Sequence, residues 1–223
     1  MSTGDYPARN WTLTGLAIAL FAMPAVVGVY HLKQTPLTVP DVLLREVIIF
    51  AIGGLVLGII KYREGLGWES VGLQRPKAGN TALWVLITSA GMALALALAF
   101  GLISVFGWSF GGSDSSTVEE LPAWVMLVVI TRAGILEELF YRGYAIERLQ
   151  LLSGNRYLSI ALPLILFALF HYRQGAAGIT IAFMFGAVMT AVYVYKRNLW
   201  ITITTHFMVD FIPNIIVPLF GTT

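Results

Sequence analysis

Seven apolar stretches follow one another along the 223 residues, with short polar connections between them. They cover about Trp11–Tyr30, Val42–Ile60, Thr81–Phe106, Ala123–Ile146, Tyr157–His171, Ala177–Tyr195 and Leu199–Phe220. A helix needs about 20 residues to cross the hydrocarbon core of a bilayer. All but the fifth stretch approach or exceed that length. The pattern predicts an all-α fold: a polytopic transmembrane bundle of about seven to eight helices, forming one integral membrane domain over 1–223. The short fifth stretch would be tilted or end inside the protein beside a cavity. An eighth helix would be re-entrant or interfacial.

Composition agrees with a membrane setting. The chain is 57% hydrophobic and 12% charged, with a mean hydropathy of +0.79; a soluble domain is roughly 25% charged. Glycines are spread through the apolar runs, as in packed membrane helices. There is no cysteine, which excludes disulfides, a thiol nucleophile and thioether or thioester lipid anchors. Ser2 stands where myristoylation needs glycine. The first stretch is too long for a signal-peptide core and no small-residue cleavage site follows it, so it reads as a retained span. A formal charge of +2 is too small to indicate a nucleic-acid partner.

Orientation follows from the loops. Arg9, Lys61, Arg63, Arg75, Lys77, Arg148, Arg156, Lys196 and Arg197 fall on one side of a seven-span arrangement, and only Lys33 and Arg173 on the other. The positive-inside rule then places the amino terminus in the cytoplasm and the carboxy terminus outside the cell membrane. "GGSDSSTVEELP", Gly111–Pro122, is the clearest polar linker and carries no Lys or Arg.

Ionisable residues inside these stretches need a reason. Placing Arg, Lys or Asp at the centre of a membrane helix costs about 2.5–3.5 kcal/mol, so such groups face the interior or a water-filled cavity and have partners. They are Arg45/Glu46, Arg132, Glu137/Glu138 with Arg142, His171, His206 and Asp210. Glu138 and Arg142 are i and i+4, an internal ion pair. Glu137 is turned about 100° from Glu138 on an α-helix and has no cation at i+4. An unpaired carboxylate in a poorly hydrated place suits proton transfer. His206 and Asp210 are also i and i+4, so Asp210 is expected to hold one imidazole nitrogen. Phe167 sits one turn before His171, where its ring can pack on the imidazole. Polar side chains also serve as interhelical glue, and Arg45, Glu46 and Arg132 are read that way. Intramembrane Glu, His and Arg also build proton relays in transporters, but no pair of interrupted helices in matching halves is visible.

The same residues carry a resemblance. "EELFYR" fits Glu-Glu-x-x-x-Arg, "FALFH" fits Phe-x-x-x-His, and "HFMVD" fits His-x-x-x-Asn/Asp. In this order, on successive apolar segments, they resemble the CAAX prenyl endopeptidase and bacteriocin-processing family (CPBP, or Abi) of type II CAAX-protease-like membrane proteins. "WESVGLQRP", Trp68–Pro76, is similar to the segment before that family's motif-bearing half, here about 121–220. The resemblance implies a glutamate-dependent intramembrane endopeptidase acting on a membrane-associated peptide or protein, prenylated or bacteriocin-like. Glu137, His171, His206 and Asp210 would be its catalytic residues, braced by Glu138, Arg142 and Phe167. Asp210 stands where the eukaryotic prenyl-protein enzymes have Asn. Family members are also associated with bacteriocin immunity and membrane scaffolding, which would keep the motifs without catalysis. No cofactor is expected. The alternative is zinc held by Glu137, His171 and His206 with an open position, although H-E-x-x-H is absent.

Overall fold

The computed structural model describes residues 8–32, 36–76, 78–111 and 121–220. Ser2, Lys33, Lys77 and most of the polar linker, 112–120, lie outside the described residues. Among the described residues all regular structure is helical. The helices are α1 Arg9–Tyr30, α2 Val39–Arg63 and α3 Ala78–Phe106. Next comes α4, continuous through Ala123–Arg132, Ala133–Ile146 and Glu147–Ser153. Then follow α5 Arg156–Leu169, α6 Gly175–Lys196 and α7 Leu199–Phe220. Five of them, α1, α2, α3, α6 with its preceding turn, and α7, are long and apolar enough to cross a membrane. The other two are the charged α4 and the 14-residue α5.

Local chemistry sets the helix ends. Thr38 and Asp41 form a reciprocal capping box at the start of α2: Asp41 N–H donates to Thr38 Oγ1 at 3.4 Å and Thr38 N–H donates to Asp41 Oδ2 at 3.1 Å. Asn155 Oδ1 accepts from the backbone N–H groups of Tyr157 and Leu158, and Asn198 Oδ1 accepts from that of Trp200. These caps satisfy donors that the first turns of α5 and α7 leave open. Gly154, at φ +65°, supplies the left-handed residue that stops α4 just before α5 begins.

α4 occupies the middle of the bundle, with α1, α2, α5 and α7 packed around it. Its central segment Ala133–Ile146 is π-helical, with hydrogen bonds reaching five residues back instead of four. Twelve of its 14 residues are buried; Ile135 and Glu137 are the two that are not. α3 packs on α6 and α7, away from α4.

The "WESVGLQRP" segment forms a single 3₁₀ turn, Trp68–Val71, wedged against α4 and α7. Leu199 N–H donates to Gly72 O at 2.8 Å, and Arg148 Nη1 donates to Ser70 O at 3.1 Å. Gly143 of α4 permits this contact, because a Cβ there would stand 2.8 Å from Val71 O. Beneath the turn, Glu64 accepts hydrogen bonds from Thr12 Oγ1, Tyr144 OH and Arg148 Nε at 2.8–2.9 Å. That buried network ties α1, α2 and α4 together at the end bearing Lys61 and Arg63.

Candidate active site

The two adjacent glutamates of α4 occupy different surroundings. Glu138 is fully buried, and its Oε1 accepts from Arg142 Nη1 at 2.9 Å and from His206 Nδ1 at 2.8 Å. Glu137 keeps about 15% of its side chain exposed.

Arg142 is held on three sides. Glu138 takes one amino group, Gly186 O of α6 lies 3.5 Å from the other, and the Phe167 ring of α5 lies 4.2 Å from the guanidinium carbon. Charge, carbonyl and aromatic face together compensate a cation that is 1% exposed. Gly186 makes the approach possible, since a Cβ there would come within 2.8 Å of Leu164 Cδ1 and 3.2 Å of Arg142 Nη2. Phe167 joins this brace to His171: the two rings lie 5.0 Å apart, and the Tyr141 ring meets Phe167 edge-on at 5.4 Å.

His171 sits in the turn just beyond α5, which explains why that helix is short. Its Nδ1 lies 2.8 Å from Phe167 O. A carbonyl can only accept, so Nδ1 carries the proton and, in the neutral ring, Nε2 presents a lone pair. His206 is arranged differently. Its Nδ1 is committed to Glu138, and its Nε2 is 3.6 Å from Asp210 Oδ2. Asp210 lies within electrostatic reach of Glu137, Arg132, His171 and His206. Glu137 in turn acts on both His206 and Tyr141. Direct contacts join α4 to α7 through Glu138 and His206, and α4 to α5 through Arg142 and the Phe167 ring.

Two expectations from spacing are corrected. The carboxylate hydrogen-bonded to His206 is Glu138, not Asp210, whose 3.6 Å separation is an ion-pair distance and too long for a hydrogen bond. Helical spacing on one element could not reveal a partner on another. Glu137 is also not without a cation: Arg132 Nη1 donates to its Oε1 at 3.0 Å. An α-helix offers Glu137 only Ala133 and Tyr141 at four residues' distance. The wider π turns stack residues five apart and bring Arg132 beside it. The opposite charge at i−5 was the available signal.

Arg132 itself reaches further, its Nε donating to Glu46 Oε2 of α2 at 2.6 Å. Sequence spacing also gave no hint of Tyr141, whose hydroxyl is buried with no hydrogen-bond partner among the described residues.

Two of the atoms that the zinc alternative could draw on are already engaged. Arg132 already occupies Glu137 Oε1 and would repel a cation there, and Glu138 occupies His206 Nδ1. Among the described residues no three His, Asp or Glu side chains are grouped as metal ligands would be.

Residues 119–212 match the model of the Type II CAAX prenyl endopeptidase Rce1-like family, a protease family. The matched segment contains α4, α5, α6 and α7 as far as Ile212, and with them every residue of the three motifs. α1, α2 and α3 lie outside it. No curated protein and no solved structure matches the chain.

Proposed function

We propose that this chain is a glutamate-dependent intramembrane endopeptidase, hydrolysing a peptide bond in a membrane-associated substrate of prenylated or bacteriocin-like type. The observation that carries this reading is the partly exposed Glu137, within electrostatic reach of His206 and Asp210, inside the segment that matches a protease family.

Glu137 and His171 share one water between them. As the water oxygen attacks the carbonyl carbon of the scissile peptide, its proton passes to Glu137, and His171 Nε2 accepts the hydrogen bond of the second O–H. Electron density moves onto the carbonyl oxygen. His206 Nε2–H donates to that oxyanion, an interaction worth about 2.7–4 kcal/mol in comparable sites. Because Nδ1 already donates to Glu138, Nε2 can donate only from the imidazolium, which the carboxylates of Glu138 and Asp210 flank. Collapse of the intermediate breaks the C–N bond, and Glu137 returns its proton to the leaving nitrogen. Glu138 and Arg142 hold His206 in place, and Phe167 holds His171.

Water and substrate enter from the side bearing Lys61, Arg63, Arg148 and Lys196, which is cytoplasmic if the positive-inside rule holds. Glu137 lies eleven residues before Arg148 along α4.

The test uses protein reconstituted in liposomes with a farnesylated peptide ending in Cys-Ala-Ala-X. Release of the terminal tripeptide by wild type, and none by Glu137→Gln, is the expected result. Equal behaviour of the two would sink the catalytic reading in favour of a scaffold. In the cysteine-free chain, Phe207→Cys should react with a membrane-impermeant thiol reagent only from the cytoplasmic side; labelling from outside alone would reverse the topology and the route of entry.

A further inference from the structure

We infer that Arg132 and Glu46 are positioning residues for Glu137, forming a relay that reaches the site from α2, outside the segment matching the protease family. The inference rests on the protease reading above.

Four charges of alternating sign stand in line. Arg45 Nε and Nη2 lie 2.9 and 2.8 Å from Glu46 Oε1. Glu46 Oε2 accepts from Arg132 Nε at 2.6 Å, and Arg132 Nη1 donates to Glu137 Oε1 at 3.0 Å. Glu46 is 1% exposed and Arg132 6%. Met23 Sδ of α1 closes the remaining side, 3.7 Å from Arg132 Nη1. The line runs between two partly exposed ends, Arg45 and Glu137.

Three features distinguish this from an ordinary brace between α2 and α4. Arg132 uses different nitrogens for its two carboxylates, so the planar guanidinium fixes their relative orientation; a lysine ammonium cannot do this. Only one oxygen of Glu137 is engaged, and Oε2 has no hydrogen bond among the described residues. The contact therefore sets the direction of the carboxylate and leaves an oxygen for water. Lastly, the α2 end of the relay is anchored independently of the reacting groups, because Arg45 takes the second oxygen of Glu46. A base whose position is set by a guanidinium, itself set by a second carboxylate, is preorganised before substrate arrives. Misplacement by about 1 Å can cost about 100-fold in rate.

The deciding variant is the double substitution Glu46→Met with Arg132→Met. It removes the two most buried charges of the line together and leaves only its partly exposed ends, Arg45 and Glu137, without partners, whereas removing one of the buried pair strands the other in the interior. In the liposome assay with the farnesylated peptide, the double variant should unfold in detergent near the wild-type temperature. Its kcat should fall about 100-fold with KM unchanged. Arg132→Lys, which keeps the charge and loses the fork, should not restore kcat. A folded double variant with wild-type kcat would overturn the inference and leave the relay as a brace. If the double variant fails to fold, Glu46→Gln decides: a folded protein with kcat within twofold of wild type would equally overturn it. The wild type and Glu137→Gln run alongside. Cleavage by the first and not the second upholds the protease reading whatever the relay variants do; no cleavage by wild type means that reading itself has failed.

Discussion

α3 and α4 run through the same bundle under opposite rules. α3 has no charged residue between Ala78 and Phe106, and Leu86, Leu94 and Val105 are well exposed on it. α4 carries Arg132, Glu137, Glu138 and Arg142 in its apolar run, and these are buried or nearly so. In water that would be an inverted protein. In a bilayer it is the expected order: apolar side chains lose nothing by facing lipid, while each polar group needs a protein partner or a hydrated cavity. The lesson is that α3 can be solved by composition alone, whereas α4 needs its neighbours. Each charge on α4 has a counterpart on another element or one π turn away: Glu46 of α2 for Arg132, Gly186 O and the Phe167 ring for Arg142, and His206 for Glu138.

Substitutions can break or sharpen this contrast, and the largest effect is expected at Glu137. Glu137→Gln keeps shape and most packing but removes the proposed proton acceptor, so kcat should fall by about 10²–10⁴ with thermal unfolding unchanged. A loss of folding instead would mean that Glu137 is structural like its neighbour. Glu138→Ala should do the reverse. It strands Arg142 and frees His206 in the interior, at a cost of about 3–5 kcal/mol, read as a lowered unfolding temperature and poor yield in detergent. If Glu138→Ala folds normally and only activity falls, the division of labour between the two glutamates is wrong.

Gly186→Ala tests the packing around the brace. The added methyl meets Leu164 and Arg142, and overpacking of this kind costs about 1–3 kcal/mol, measurable by unfolding in detergent; no change would show that α6 can retreat from Arg142. The smallest effect is expected on α3. Leu94→Ala, at a side chain 63% exposed, should alter stability by less than about 0.5 kcal/mol. A larger loss would mean that another protein surface covers that side chain.

Much of the architecture was readable before any coordinates. The seven apolar stretches correspond to seven helices, and the predicted Leu199–Phe220 has the bounds observed for α7. The fifth stretch was recognised as short, and it ends at Leu169 with His171 in the turn beyond. The i, i+4 pair Glu138–Arg142 also formed as spacing required. What could not be read was pairing across elements. His206 was assigned to Asp210, its neighbour on the same helix, but Glu138 takes its Nδ1 from across the interface. Arg132 was read as interhelical glue, and spacing did not show its contact with Glu137.

The sequence by itself determined the solvent, the helices and the groups available for chemistry. Lipid tolerates few backbone solutions, and apolar runs of this length leave helices as the economical one. Only the tertiary structure decided which of two adjacent glutamates stays partly exposed, which histidine nitrogen is committed, and that Glu46 of α2 is joined to Glu137 through Arg132. Those outcomes depend on π turns and on contacts between distant segments, where a change of one residue per turn or a few ångströms reassigns every partner.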